Sequence, residues 1–449
     1  MKTRDLTKGN ILNQLLKLAL PIMATGFIQM TYNLVDIAWI GRLGSQSVAA
    51  VGSSGMLMWM LTSFGLISKI GAEISIGRAL GEGNRKRMQI LASHTTIIAV
   101  IMGVLFGVMF FTFPNLFISF FYLDSSINAL ANSYLTIISF GIPFMFLILN
   151  FSGIYIGGGR SDIPFYFNAS GLVLNIILDP ILIFGYLGFP ALGVDGAAIA
   201  TVISQITVFT LFITHIKGKN GILGKTKLLI RPIKRELVYI LKLGLPVALM
   251  NAYFSIISMS LARIASIHGG HIGVTSQSTG GQIEGITWNT AHGFASALGS
   301  FVAQNFGAKK EQRAAKAYIY TLIMLGALGV VVSVLFITLG ENIFALFIPE
   351  KEAYIAGGSY LLIIGISQVF MMVEIATQGL FNGIGKTAPP AIISIVFNTI
   401  RIPLSLILAS VWGVNGVWWA ISITTIFKGC ISPLWMLIYS KKKKLLSFS

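Results

Sequence analysis

The sequence predicts an all-α membrane protein of about twelve spanning helices in two pseudo-symmetric six-helix lobes. Three observations carry this. Only 10% of the 449 residues are charged and 55% are hydrophobic, whereas a soluble domain is about 25% charged. Apolar runs of spanning length follow one another along the chain, separated by short polar stretches. Those stretches alternate between strongly basic and acidic or uncharged, the pattern of the positive-inside rule.

Taken in order, a polar and basic start with Lys2, Arg4 and Lys8 precedes the first run, 15–40. At about 1.5 Å per residue that run exceeds the ~30 Å hydrocarbon core. It is too long for a signal-peptide core and has no evident small-residue cleavage site, so no cleavable signal is expected. The second run, 48–76, leads to the basic Arg85, Lys86 and Arg87. The third, 89–113, leads to Asp124, and the fourth, 129–153, to Arg160. The fifth and sixth, 163–186 and 193–217, flank an uncharged turn near Leu187. A polar stretch from Lys217 to Glu236 follows, basic through Arg235 and holding Gly218, Gly221, Gly224 and Pro232. Runs at 237–266, 277–304, 314–340, 354–380, 388–411 and 415–440 complete the twelve. Their connections are basic at Lys309, Lys310, Arg313 and Lys316, at Lys386 and at Lys441 to Lys444. The intervening ones carry Glu341, Glu350, Lys351 and Glu352, or no charge near Val414. Both termini are thereby expected in the cytoplasm, and the net charge of +17 is topological; no nucleic-acid partner is expected.

The halves repeat. LLKLALP (15–21) returns as ILKLGLP (240–246), GIYIGGGRSDIP (153–164) as GLFNGIGKTAPP (379–390), SYL (133–135) as SYL (359–361), and GVDGAA (193–198) as GVNGVW (413–418). The offset is 225 or 226, falling to 220 in the last pair. Six spans preserve orientation, so this is a parallel repeat about an axis along the membrane normal, a plan transporters share. The expected domains are an N-lobe at 1–217, a cytoplasmic linker at 218–236, a C-lobe at 237–440 and a basic tail at 441–449.

A single cysteine, Cys430, excludes an internal disulfide and a cysteine metal cluster. No HExxH, CxxC or Walker-type phosphate loop is present. An enzyme and a nucleotide-hydrolysing pump are thus disfavoured, and no cofactor is expected beyond a coupling ion.

Polar residues found in only one half need an account other than scaffold. At the repeat offset Asp36 falls on Leu261, Asn175 on Arg401, Asp179 on Ser405 and Thr201 on Ile421. A carboxylate inside a spanning helix costs roughly 2.5–3.5 kcal/mol on insertion scales and marks an ion or substrate path. Asn175 and Asp179 are four apart, on one face, roughly 18 and 24 Å into their helix at 1.5 Å per residue. Thr201 lies roughly 12 Å below the outer surface by the same rise. Asp36 is near the outer end of the first helix, which Pro21 is expected to kink by removing a backbone donor. Two carboxylates, an amide and a hydroxyl suit Na⁺, a hard cation wanting oxygens, or a proton. Glu374, opposite Ile148, is also unshared. Glu374 and Arg401 are expected either to neutralise each other or to form a second site. Glu284 and Lys428 are buried candidates without an assigned partner. Phe27, Met30, Tyr32, Phe140, Phe144, Tyr253 and Met259 offer an apolar lining for amphiphilic compounds.

With these residues in view, the chain resembles the MATE (multidrug and toxic compound extrusion) family along essentially its whole length. The motifs are NLVDIAWIGRLG (33–44), GRALGEGN (77–84), GGGRSDIP (157–164), NIILDPILIF (175–184), GVDGAAIATVISQ (193–205) and VAQNFGA (302–308). The resemblance implies two six-helix lobes opening as a V and an N-lobe cation site at Asp36, Asn175, Asp179 and Thr201, with Ala197 as the small residue of the same motif. Several branches of the family place an essential acid in the seventh helix. Here 237–266 holds only Lys242 and Arg263 as ionisable groups. The sequence is therefore similar to the bacterial branch typified by the damage-inducible efflux proteins.

The reading that follows is an exporter of the bacterial plasma membrane, acting as a monomer surrounded by membrane lipid. H⁺ or Na⁺ entry is expected to drive release of amphiphilic, often cationic drugs by alternating access. The alternative is a lipid-linked oligosaccharide flippase of the same superfamily, against which the acidic character of the unshared cluster argues.

Overall fold

The structure, a computed structural model, describes residues 3–121, 123–218 and 228–443. Residues 219–227 of the expected linker and 444–449 of the expected tail lie outside the described residues. The described chain is built from helices: α1 (Ile11–Gly41), α2 (Ser45–Gly81), α3 (Arg85–Thr112), the short α4 (Pro114–Ile118), α5 (Ser125–Ser139), α6 (Ile142–Gly157), α7 (Asp162–Phe184), α8 (Val194–Lys217), α9 (Lys234–Gly307), α10 (Glu311–Ala345), α11 (Lys351–Gly383), α12 (Ala388–Trp412) and α13 (Val414–Lys443). Ten of them are long and apolar enough to span a bilayer, and α5 with α6 makes an eleventh span.

Two departures from the expected helices have local causes. The run at 129–153 is not one straight helix, because the chain bends by 51° between α5 and α6. Pro143 stands in the first turn of α6, where it has no N–H to give and its ring opposes the carbonyl four residues back, that of Ser139. The expected seventh and eighth helices form the single run α9, whose 74 residues would reach about 110 Å if straight. Gly270, at φ 57° and ψ −150°, breaks it. A Cβ on Gly273 would lie 2.9 Å from the Ala265 carbonyl. Residues eight apart in a straight helix are about 12 Å apart, so the chain reverses at Gly270 and α9 supplies the twelfth span.

The repeat is visible in the backbone. Positive φ angles recur at matched positions: Gly44 with Gly270, Gly83 with Lys309, Gly159 with Gly385, and Gly193 with Gly413. Helix contacts recur as well. Gly153 and Gly157 let α6 approach α2 so closely that added Cβ atoms would sit 2.3 and 2.6 Å from the carbonyls of Lys69 and Glu73. Their counterparts Gly379 and Gly383 press α11 onto α9, 2.5 and 2.7 Å from the carbonyls of Ala295 and Gly299. Between helices in lipid, small residues four apart supply association that hydrophobicity cannot.

The chain divides into two compact units: Met1–Asp5 with Ala24–Ala248, and Leu6–Met23 with Leu249–Ser449. The division does not fall at the linker. It falls inside α1 and α9, a few residues after Pro21 and Pro246, which lie within those helices. The two crossing points are 225 residues apart, so the exchange of helix halves belongs to the repeat. In the first unit α7 packs on α8, and α2 on α3, α5 and α6. In the second, α11 packs along α10 and α13, and α12 on α13.

Candidate functional site

All five residues assigned to the cation site fall within the first unit. Asn175 and Asp179, one turn apart on α7, are fully buried. Asn175 Nδ2 donates to Asp179 Oδ1 at 3.1 Å. This fixes the amide so that its own oxygen points elsewhere. Asp36, half-buried on α1, brings its carboxyl to within hydrogen-bonding reach of Asp179. Thr201 is buried on α8, its side chain beside the Tyr32 hydroxyl. Ala197, one turn before Thr201, packs in a small cluster with Ile40, Ile138, Ile183 and Val194. It adds no polar group of its own.

The decisive feature is what these groups lack. Asp36 Oδ1, Asp179 Oδ2, Asn175 Oδ1, Thr201 Oγ1 and the Tyr32 hydroxyl are buried atoms without a well-formed hydrogen bond among the described residues. Among the described residues, no lysine or arginine is among the groups acting on either carboxylate. Buried polar atoms are nearly always paired, and two carboxylates side by side in a low dielectric repel strongly. A set of orphaned oxygens of mixed type, with no nitrogen or sulfur ligand, fits a hard cation or a proton.

Three groups near this site were outside the expected set. Tyr32 precedes Asp36 by one helical turn, a signal that was legible. Ser204, buried with an unpartnered Oγ, follows Thr201 by three residues and was equally legible. Tyr134 is buried on α5 within electrostatic reach of both acids. It arrives from a third helix, and nothing in the sequence pairs it with them.

In the second unit the expected Glu374–Arg401 pair is not formed. Glu374 Oε2 instead lies 3.0 Å from Lys428 Nζ, and Glu374 Oε1 accepts from Ser394 Oγ at 3.0 Å. Arg401 donates to the hydroxyls of Thr424 and Thr425 at 2.8 and 2.9 Å. The reason is packing: α11 runs along α13, which carries Lys428, and meets α12 at Ser394, two helical turns before Arg401. Glu284 accepts from Tyr360 at 3.2 Å and from Gln368 at 3.1 Å. Both residues without an assigned partner thus have one.

The MatE family profile matches residues 21–181 and 246–407, one match per half. The chain belongs to the MatE family and is a multi-span membrane transporter. A protein of Thermotoga maritima named "Probable multidrug resistance protein NorM" is 27% identical over 437 residues, covering 95% of this chain and 92% of its own. "Multidrug export protein MepA" of Staphylococcus aureus is 23% identical over 440 residues, 98% of this chain and 96% of its own. Among solved structures, one described as "MATE in the bent conformation" superposes with a TM-score of 0.89 at 25% identity, covering 99% of both chains.

Proposed function

We propose that this chain is a cation-coupled antiporter of the bacterial plasma membrane that exports amphiphilic, often cationic small molecules. The observation that carries the reading is the meeting of Asp36 and Asp179, with orphaned oxygens around them and no basic side chain among the described residues to compensate. The names of the relatives support small-molecule drugs as the exported class. The alternating basic connections support cytoplasmic termini and a cytoplasmic linker at 218–236 between the two sequence repeats, 1–217 and 237–440, whose first helices each cross from one compact unit to the other.

The mechanism follows from the two elements that supply the acids. Asp36 is on α1 and Asp179 on α7, so the cation state of the site decides whether these helices repel or hold together. Two unit charges at about 4 Å in an effective dielectric of about 20 repel by about 4 kcal/mol. Moving a two-state equilibrium from 1:99 to 99:1 takes about 5.5 kcal/mol. Cation entry at this one site is therefore of the right size to bias the transporter between its two conformations. Asn175 orients Asp179, and Thr201 and Tyr32 supply neutral oxygens to a bound ion. Drug and cation must prefer different conformations, since a ligand with equal affinity for both shifts nothing.

Reconstituted protein in vesicles loaded with a lipophilic cationic dye tests the proposal. Dye efflux should follow an imposed H⁺ or Na⁺ gradient. A sodium site responds to Na⁺ at fixed pH and weakens as acid protonates the carboxylates, whereas a proton site ignores Na⁺. Efflux indifferent to both gradients would remove the proposal.

A further inference from the structure

We propose that the first unit carries a binding site for an acidic phospholipid headgroup, between the start of α3 and the start of α9. It rests on the cytoplasmic orientation proposed above for these helix ends and is independent of the coupling ion.

A hollow of about 660 Å³ opens there, lined by Asn84, Lys86, Arg87, Ile90, Ile233, Arg235 and Glu236. Ligand sites commonly occupy about 300–1,000 Å³. A second hollow of about 480 Å³ shares Arg235 with it and continues along Lys234, Val238, Tyr239 and Lys242. Five cations line the pair of hollows, and two carboxylates stand near them. Glu236 is buried and engaged by Arg235 at 3.0 Å. Glu82 is shared by Arg78 and Arg87 at 3.3 and 3.4 Å. Lys86 and Lys234 have no ion-pair partner among the described residues. The groove thus presents net positive charge at one end. At the other it has an apolar wall of Val238 and Tyr239, with Arg87 over the tyrosine ring at 5.9 Å. That is the chemistry of a phosphate followed by glycerol and the first methylenes of an acyl chain. Basic pockets at the cytoplasmic ends of membrane helices recognise acidic headgroups in this way.

The internal repeat supplies a control within the same molecule. At the offset of 226, Asn84 and Arg87 correspond to Lys310 and Arg313, and the Pro232–Lys234 segment corresponds to Leu6–Lys8. In the second unit the chain itself fills this place. Leu6 is fully buried, its N–H donates to Gln304 Oε1 at 3.1 Å, and Asn305 donates to its carbonyl at 3.1 Å. Lys310 and Arg313 are used up on the carbonyls of Thr7 and Lys8, both at 2.9 Å. In the first unit Pro232 stands where Leu6 would, without a donor. The Ile233 N–H goes to His94 Nε2 at 2.8 Å, and Lys86 and Lys234 stay exposed. The same architectural slot is closed by the chain in one unit and left open and basic in the other.

The test is native mass spectrometry of the purified full-length protein titrated with phosphatidylglycerol, with phosphatidylcholine as the neutral comparison. Lys86→Gln/Lys234→Gln should weaken phosphatidylglycerol binding about 25-fold, each charge near a membrane surface being worth about fivefold. Lys316→Gln/Lys386→Gln, which removes equal charge from the second unit, should leave it within about twofold. Unchanged binding in the first variant overturns the proposal. So does an equal loss in the second, which would make the attraction diffuse. Displacement of the lipid by free glycerol phosphate at matched concentration would assign the pocket to a soluble phosphate and overturn it also. The readout is binding in detergent, so a failure of the transport proposal leaves it standing.

Discussion

Replacing Glu374 by glutamine removes a charge while keeping the shape of the side chain and an acceptor for Ser394. What it leaves behind is Lys428, an ammonium whose side chain is 8% exposed, facing a partner that was 10% exposed. Removing one member of a buried ion pair costs about 3–5 kcal/mol, because the remaining charge is left without compensation. Lys428→Met, which keeps the length of the chain, should cost a similar amount by stranding Glu374 with a single hydroxyl donor. The double replacement Glu374→Gln/Lys428→Met leaves neither charge and should return to within about 1 kcal/mol of the parent, since apolar replacement of a whole buried pair is often neutral. Thermal and denaturant unfolding of the purified protein, read on all four members of the cycle, gives the coupling directly. Arg401 provides the comparison. Its guanidinium is held by Thr424 and Thr425, so Glu374→Gln combined with Arg401→Met should show less than half that coupling. A Lys428→Met protein as stable as the parent, or stronger coupling of Glu374 to Arg401 than to Lys428, would refute the assignment.

Gly153→Ala should destabilise by about 1–3 kcal/mol through overpacking, because its Cβ would meet the Lys69 carbonyl at 2.3 Å. Gly52→Ala, with nothing within 4 Å of the added carbon, should be neutral or gain up to about 1 kcal/mol of helix stability; a thermal-shift comparison of the two separates them. Glu284→Leu strands the Tyr360 hydroxyl and the Gln368 amide, at about 1–3 kcal/mol for each unsatisfied group, so its melting temperature should fall well below that of Glu284→Gln. A cysteine at position 225, in a background without Cys430, should react with impermeant reagent only in inverted vesicles; labelling from outside intact cells would sink the proposed topology.

Much of this architecture was legible because lipid leaves few options. Helices must satisfy their own backbone, so apolar run length reveals spans, while the loop charges carry only the proposed orientation. The repeat also singled out the residues proposed for the cation site, since Asp36, Asn175, Asp179 and Thr201 stand out only against their apolar or differently polar counterparts. The rest depended on which helix packs on which. The pairing of Glu374 with Lys428 follows from α11 lying along α13, and no periodicity in either helix states that. Tyr134 reaches the two acids from a third helix for the same kind of reason. The break between residues 266 and 277 was legible, but its form, a single residue at Gly270, was not. The sequence IHGGHIG reads as a loop, yet helical geometry resumes on both sides of one glycine with a positive φ.

The central claim is that the paired carboxylates couple ion entry to export, and Asp36→Asn tests it most directly. The amide keeps the size of the side chain and its hydrogen-bonding capacity and removes the charge that an entering cation neutralises. In dye-loaded vesicles under an imposed H⁺ or Na⁺ gradient, the Asp36→Asn protein should retain its fold and lose gradient-driven efflux, and Asp179→Asn should do the same. Asn175→Ala and Thr201→Ala, which remove neutral oxygens, should weaken efflux without abolishing it. Full efflux by folded Asp36→Asn protein under either gradient would contradict the account.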